Sequence, residues 1–190
     1  MKKSWTIPSL VAVGSLAALD IIVGLAASVI TTTTGITMAS GAITSITEPL
    51  LLMVALLVIE RRGTATIFMS IVAVLALPLN YGGPPGFVAK VPIMIILGVI
   101  CDILYVLLSR LSIWLAATFI GGFLCLWYAF AVAFVGRLLK MPGIDNFLSV
   151  MPIPYLVVLL FIIGAIGGIL GVLLHKRIKN TAVVQRIQGK

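Results

Sequence analysis

"EPLLLMVALLVIERRGTATIFMSIVAVLALPLN" runs from Glu48 to Asn80 and decides the fold class. Two solid apolar runs meet at the short polar hinge Glu60–Gly63. Neither run alternates apolar with polar residues, as the ~10-residue strands of a membrane barrel would. Solid runs predict helices, because lipid offers the backbone no outside hydrogen-bond partner. The Arg61–Arg62 pair between them marks a membrane surface that the chain meets and turns away from.

The rest of the chain repeats this pattern. Over 190 residues, 62% are hydrophobic and only 9% charged, with a mean hydropathy of +1.28. Soluble domains carry charge at roughly a quarter of positions, so the composition predicts an integral membrane protein. Six apolar runs are expected as spans: Pro8–Ile30, Gly41–Ile59, Thr64–Leu79, Val91–Leu108, Leu111–Val135 and Ile153–Leu174. A spanning helix needs about 20 residues, so the third and fourth runs are short. The expected architecture is an all-α, six-transmembrane-helix bundle over residues 1–190, forming one domain.

Charge sets the expected orientation. With a cytoplasmic N-terminus, Lys2, Lys3, Arg61, Arg62, Arg110, Lys176, Arg177, Lys179, Arg186 and Lys190 lie inside. Only Lys90, Arg137 and Lys140 lie outside. The positive-inside rule then puts both termini in the cytoplasm of a multi-pass plasma-membrane protein. The net charge of +8 follows from this bias and calls for no nucleic acid. The "HKRIKN" tail reads as a headgroup anchor. The first run, interrupted by Asp20, reads as a retained span rather than a cleaved signal peptide.

No catalytic constellation is present. The single histidine, His175, adjoins Lys176 and Arg177 at an expected membrane surface, and Cys101 and Cys125 sit in different runs. Zinc-ligand clusters, phosphate loops and protease motifs are missing. The expectation is a protein that is not an enzyme, with no cofactor and no metal. Two carboxylates, Asp20 and Asp102, fall inside spans, where each needs a partner or a cavity. Gly98, Asp102, Tyr105 and Ser109 share one helix face, and Asp20 shares a face with Gly24. Small residues at fourfold spacing mark close helix approach: Gly14/Ala18, Gly24/Ser28, Gly164/Gly168 and Gly167/Gly171.

Unusual residues concentrate on the expected outer side. "TTTTGITMASGAITSITEP", Thr31 to Pro49, is soft and polar, and its first seventeen residues are expected to act, at least in part, as a mobile cover. Pro49 would then begin the helix below it. The alternative is the outer end of the second span, with Thr and Ser bonding back to their own helix. "NYGGPPGFVAK", Asn80 to Lys90, cannot form regular helix. Glu48, Asn80, Tyr81 and Lys90, with Trp127, Tyr128 and Asn146, form the candidate substrate-binding set, since aromatic rings with a few polar groups line small-molecule pockets.

Six spans in a chain of this length, cytoplasmic ends, a long first outer loop and the stretch "IERRGTATIFMSIVAVLALPLNYGGPPGFVAKVPIMIILGVICDILY" resemble the substrate-binding S components of energy-coupling-factor (ECF) transporters. That resemblance implies capture of a vitamin, a vitamin precursor or a related micronutrient from outside. It also implies partners: a membrane T component and two cytoplasmic ATPase subunits. Many S components dock through Ala-x-x-x-Ala on the first helix. None occurs in Pro8–Ile30, and Gly14, Ala18, Gly24 and Ser28 are the candidate docking residues. Alternatives are a proton- or sodium-coupled secondary transporter using Asp20 and Asp102, and a non-transporting assembly subunit.

Overall fold

The computed structural model describes residues 4–34, 39–79, 81, 86–139 and 153–188. These form helices α1 (Ile7–Thr34), α2 (Ala39–Ile59), α3 (Thr64–Ala76), α4 (Lys90–Leu108), α5 (Ile113–Leu138), α6 (Ile153–Ile178) and the short α7 (Ala182–Gln188). Five helices (α1, α2, α4, α5 and α6) are long and apolar enough to cross a membrane, whereas α3 is a shorter apolar helix. The all-helical expectation holds for the described residues. The expected third run is cut back from Leu79 to Ala76. Pro78 supplies no amide to continue the ladder, and Leu77 and Leu79 close tight turns onto Val74 and Ala76.

The other five apolar helices are arranged around α2. Helix α1 contacts α2 and α3, α3 contacts α4, α4 contacts α5, α5 contacts α6, and α6 returns to α2. Every residue from Leu51 to Ile59 is buried, which explains a run with no polar face. The surrounding helices turn Ile22, Val29, Ile103, Leu107, Phe119 and Ile162 outward. A surface of that kind suits lipid rather than water.

Glycines determine how closely α6 approaches its neighbours. A Cβ at Gly164 or Gly168 would fall on the backbone of Gly121 or Ala117 in α5. At Gly167 or Gly171 it would fall on Ile46 or Leu50 in α2. The two overlapping small-residue pairs therefore serve two neighbours, one on each side of α6.

The described part of the outer strip is helical. Helix α1 continues to Thr34 and α2 opens at Ala39, so residues on both sides of 35–38 are helical. The Thr33 hydroxyl donates to the Val29 and Ile30 carbonyls, Thr44 to Gly41, and Thr47 to Ile43. Threonine on a helix in an apolar setting satisfies its hydroxyl on its own preceding turn. Pro49 lies inside α2 rather than at its start. Having no amide, it leaves the Ser45 carbonyl without its usual helical donor. The Cys125 thiol of α5 donates to that carbonyl instead, at 3.3 Å.

At the opposite end Gly63, at φ 82°, provides the left-handed turn into α3. Ser112 caps α5 by accepting the Trp114 amide. The Lys176 ammonium sits 4.4 Å from the centre of the Trp114 ring, a cation–π contact between α6 and α5. The basic tail does more than trail from α6. Helix α7 folds against α1 and α2, burying Val184 and Gln188. The Gln188 amide donates to Glu60 Oε1 at 3.3 Å.

Candidate functional site

Helix α3 explains the geometry on both sides of it. Its 13 residues extend about 20 Å at 1.5 Å per residue, well short of the ~30 Å hydrocarbon layer. A helix of that length does not reach across such a layer, and its free end groups need partners from the protein. Helix α4 satisfies both ends. Asp102 accepts the amides of Ala65 and Thr66 at 3.0 and 2.9 Å, and the Thr66 hydroxyl at 2.6 Å. The Lys90 ammonium donates to the carbonyls of Ala76 and Leu79 at 3.2 and 2.9 Å. The anion thus meets the positive end of the α3 dipole and the cation the negative end. Gly98 permits the approach, since a Cβ there would strike the Thr66 backbone and Met69.

Because α3 is short, the chain leaving it is released inside the bundle, and Tyr81 reaches the interior. Its ring lies on Gly24 of α1, where a Cβ would collide with it. Its hydroxyl donates to Asp20 Oδ2 at 2.8 Å. One turn separates Asp20 from Gly24, so a carboxylate and a vacant ring seat face the same way. Burial, with the Glu48 and Asp20 carboxylates alongside, pushes the Tyr81 phenol above its ordinary range, and the phenol remains a donor.

Glu48 of α2 completes the cluster. It is 6% exposed and interacts electrostatically with Asp20, Tyr81 and Tyr128 of α5. Asp20 is fully buried. Oδ1 of Asp20 and Oε1 of Glu48 have no hydrogen-bond partner among the described residues. Two buried carboxylates therefore each present an acceptor, with phenols beside them. Such a centre attracts a cation or a proton, since unpaired buried carboxylate oxygens are costly.

The expected binding set is thus divided by the structure. Glu48, Tyr81 and Tyr128 come together. Lys90 is committed to the end of α3, and the Trp127 indole reaches the Ile93 carbonyl of α4 at 3.4 Å. Asn80 and Asn146 lie outside the described residues. Asp20 joins the cluster although sequence reasoning placed it apart from the substrate-binding set. The available signal was its shared face with Gly24, but that spacing does not name Tyr81 as the occupant. Of the candidate docking positions, Gly14 has open space around it, Ala18 and Ser28 are half-buried, and Gly24 is covered by Tyr81. The Ser28 hydroxyl bonds to the Leu25 carbonyl. Among the described residues no group of three or more His, Cys, Asp or Glu side chains is placed to hold a metal. Comparison with protein-family models, curated proteins and solved structures gives no match to this chain, so function is argued from these side chains.

Proposed function

We propose that the protein is a six-span, plasma-membrane solute-capture subunit with both termini in the cytoplasm, binding a small cationic micronutrient from the outer side. The observation that carries this reading is the Asp20–Glu48 pair, buried together with one open acceptor oxygen on each residue. An organic ammonium group would find two carboxyl acceptors, while Tyr81 and Tyr128 offer ring surface for its apolar part. The resemblance to ECF S components supports the same role, with a vitamin or vitamin precursor as ligand and a T component and two ATPases as partners. In this role the chain binds without hydrolysing ATP. Small molecules released from the detergent-purified protein should include a species that is positively charged at neutral pH. Its retention should fall about tenfold or more in Asp20→Asn or Glu48→Gln, the loss expected for one charge-assisted contact. Recovery of only anionic or neutral species, equally retained by both variants, would refute it.

The same open oxygens favour a second reading, proton or sodium coupling in a stand-alone transporter. Asp102 is held by three hydrogen bonds at α3, so Glu48 rather than Asp102 would partner Asp20 there. Proteoliposomes holding the chain alone separate the two. Uptake that follows a pH or sodium gradient supports the coupled transporter, and accumulation only with the ATPases present supports the capture subunit. A non-transporting assembly subunit would retain no small molecule.

A further inference from the structure

We propose that the α2–α3 end of the bundle carries a second site, for a phosphate-bearing anion, and that its source is the headgroup of an anionic phospholipid. The site centres on Arg61, which follows α2 and is only 9% exposed. Its Nη2 donates to the Thr6 hydroxyl at 3.3 Å. Its Nε and Nη1 are buried and have no hydrogen-bond partner among the described residues. A guanidinium cannot shed its charge at any ordinary pH, and a buried one without an anion is unfavourable.

Arg61 lines a cavity of about 580 Å³ together with Glu60, Asp102, Arg62, Tyr105, Ile103 and Leu107. Two carboxylates share this cavity, and each already accepts hydrogen bonds from the protein. Asp102 accepts from Ala65 and Thr66, and Glu60 accepts from Gln188. The planar fork of arginine donors matches the oxygens of a phosphate, and the exposed Arg62 supplies a second cation.

The opposite wall chooses between sources. Ile103 and Leu107 are 53% and 57% exposed on α4, on the surface suited to lipid. A free phosphate gains nothing from those side chains. A phospholipid can place its phosphate at Arg61 and lay an acyl chain along them. This site is separate from the Asp20–Glu48 cluster and does not depend on what that cluster binds.

Full-length protein in nanodiscs of phosphatidylcholine, with and without phosphatidylglycerol, provides the test. Native mass spectrometry should show phosphatidylglycerol retained after delipidation, and the melting temperature should rise in the mixed discs. Arg61→Gln should lower the preference for phosphatidylglycerol over phosphatidylcholine about tenfold. Arg62→Gln, at an exposed position, should lower it as well and covers the case in which the first variant fails to fold. A Lys176→Gln/Lys179→Gln variant should keep the preference, because neither residue lines the Arg61 cavity. Loss in the tail variant with retention in Arg61→Gln and Arg62→Gln would overturn the site. Equal melting temperatures in the two lipid mixtures would do the same. Inorganic phosphate stabilising the detergent-solubilised protein as much as phosphatidylglycerol would overturn the lipid as its source.

Discussion

Gly24 and Asp20 stand one turn apart on α1, and Tyr81 occupies both positions with one side chain. Tyr81→Phe keeps the ring and removes the hydroxyl that donates to Asp20. Thermal or denaturant melts in detergent should show a loss of about 1–3 kcal/mol, the range for leaving a buried hydrogen-bonding group unsatisfied. Two glycines on the same helix give a sharper comparison. Gly24→Ala places a methyl group inside the Tyr81 ring contact and should cost about 1–3 kcal/mol. Gly14→Ala meets nothing within 4 Å and should lie within about 0.5 kcal/mol of the parent or stabilise it slightly. Equal effects at the two positions would show that the ring does not rest on Gly24.

At the scale of elements, α3 and α4 behave as one unit because each end of the short helix is held by a charge from its neighbour. Asp102→Ala releases two amides at the start of α3, while Lys90→Met releases two carbonyls at its end. Hydrogen exchange should quicken at Ala65 and Thr66 in the first variant and towards residues 76–79 in the second. Each should lose about 1–3 kcal/mol of stability. Asp102→Asn should fall between Ala and the parent, since its one carbonyl oxygen still accepts. Unchanged exchange at Ala65 and Thr66 in Asp102→Ala would remove the carboxylate from its capping role. This use of Asp102 and Lys90 is structural, although their residue types equally suited ion or substrate contact.

For the whole molecule, the basic residues predict which ends of the bundle face the cytoplasm. Cys101 and Cys125 are both buried, so single cysteines added to the parent should be labelled over a low background. Membrane-impermeant reagent applied outside should reach Gly83→Cys and Gly143→Cys, and should miss Arg62→Cys and Gln185→Cys. The reverse pattern would invert the topology and place the Arg61 cavity in the outer leaflet. Packing around α2 gives a second expectation at this scale. Gly168→Leu forces α6 away from Ala117 and should unfold the bundle or break its α5–α6 contact, whereas Ile166→Leu on the exposed face should be tolerated.

The chain's apolar runs determined that it is helical and suited to a membrane, because in lipid a backbone can satisfy its own hydrogen bonds only in a few ways. The glycine spacing of α6 likewise announced close packing, a local property of one helix face. The third run's length was less legible: its apolar pattern continued past Ala76, while Pro78 removed the amide that would have extended it. Partners required the tertiary structure. Nothing in the spacing of Asp102 and Lys90 along α4 says that another helix ends at both, and nothing near Glu48 says that Asp20 and Tyr81 lie beside it. Such pairings depend on where separate segments stop and cross. The Thr-rich strip shows the same divide: its composition allowed a cover, but its hydroxyls bond back to their own helices. Composition sets what a segment can satisfy, and only packing decides which neighbour satisfies it.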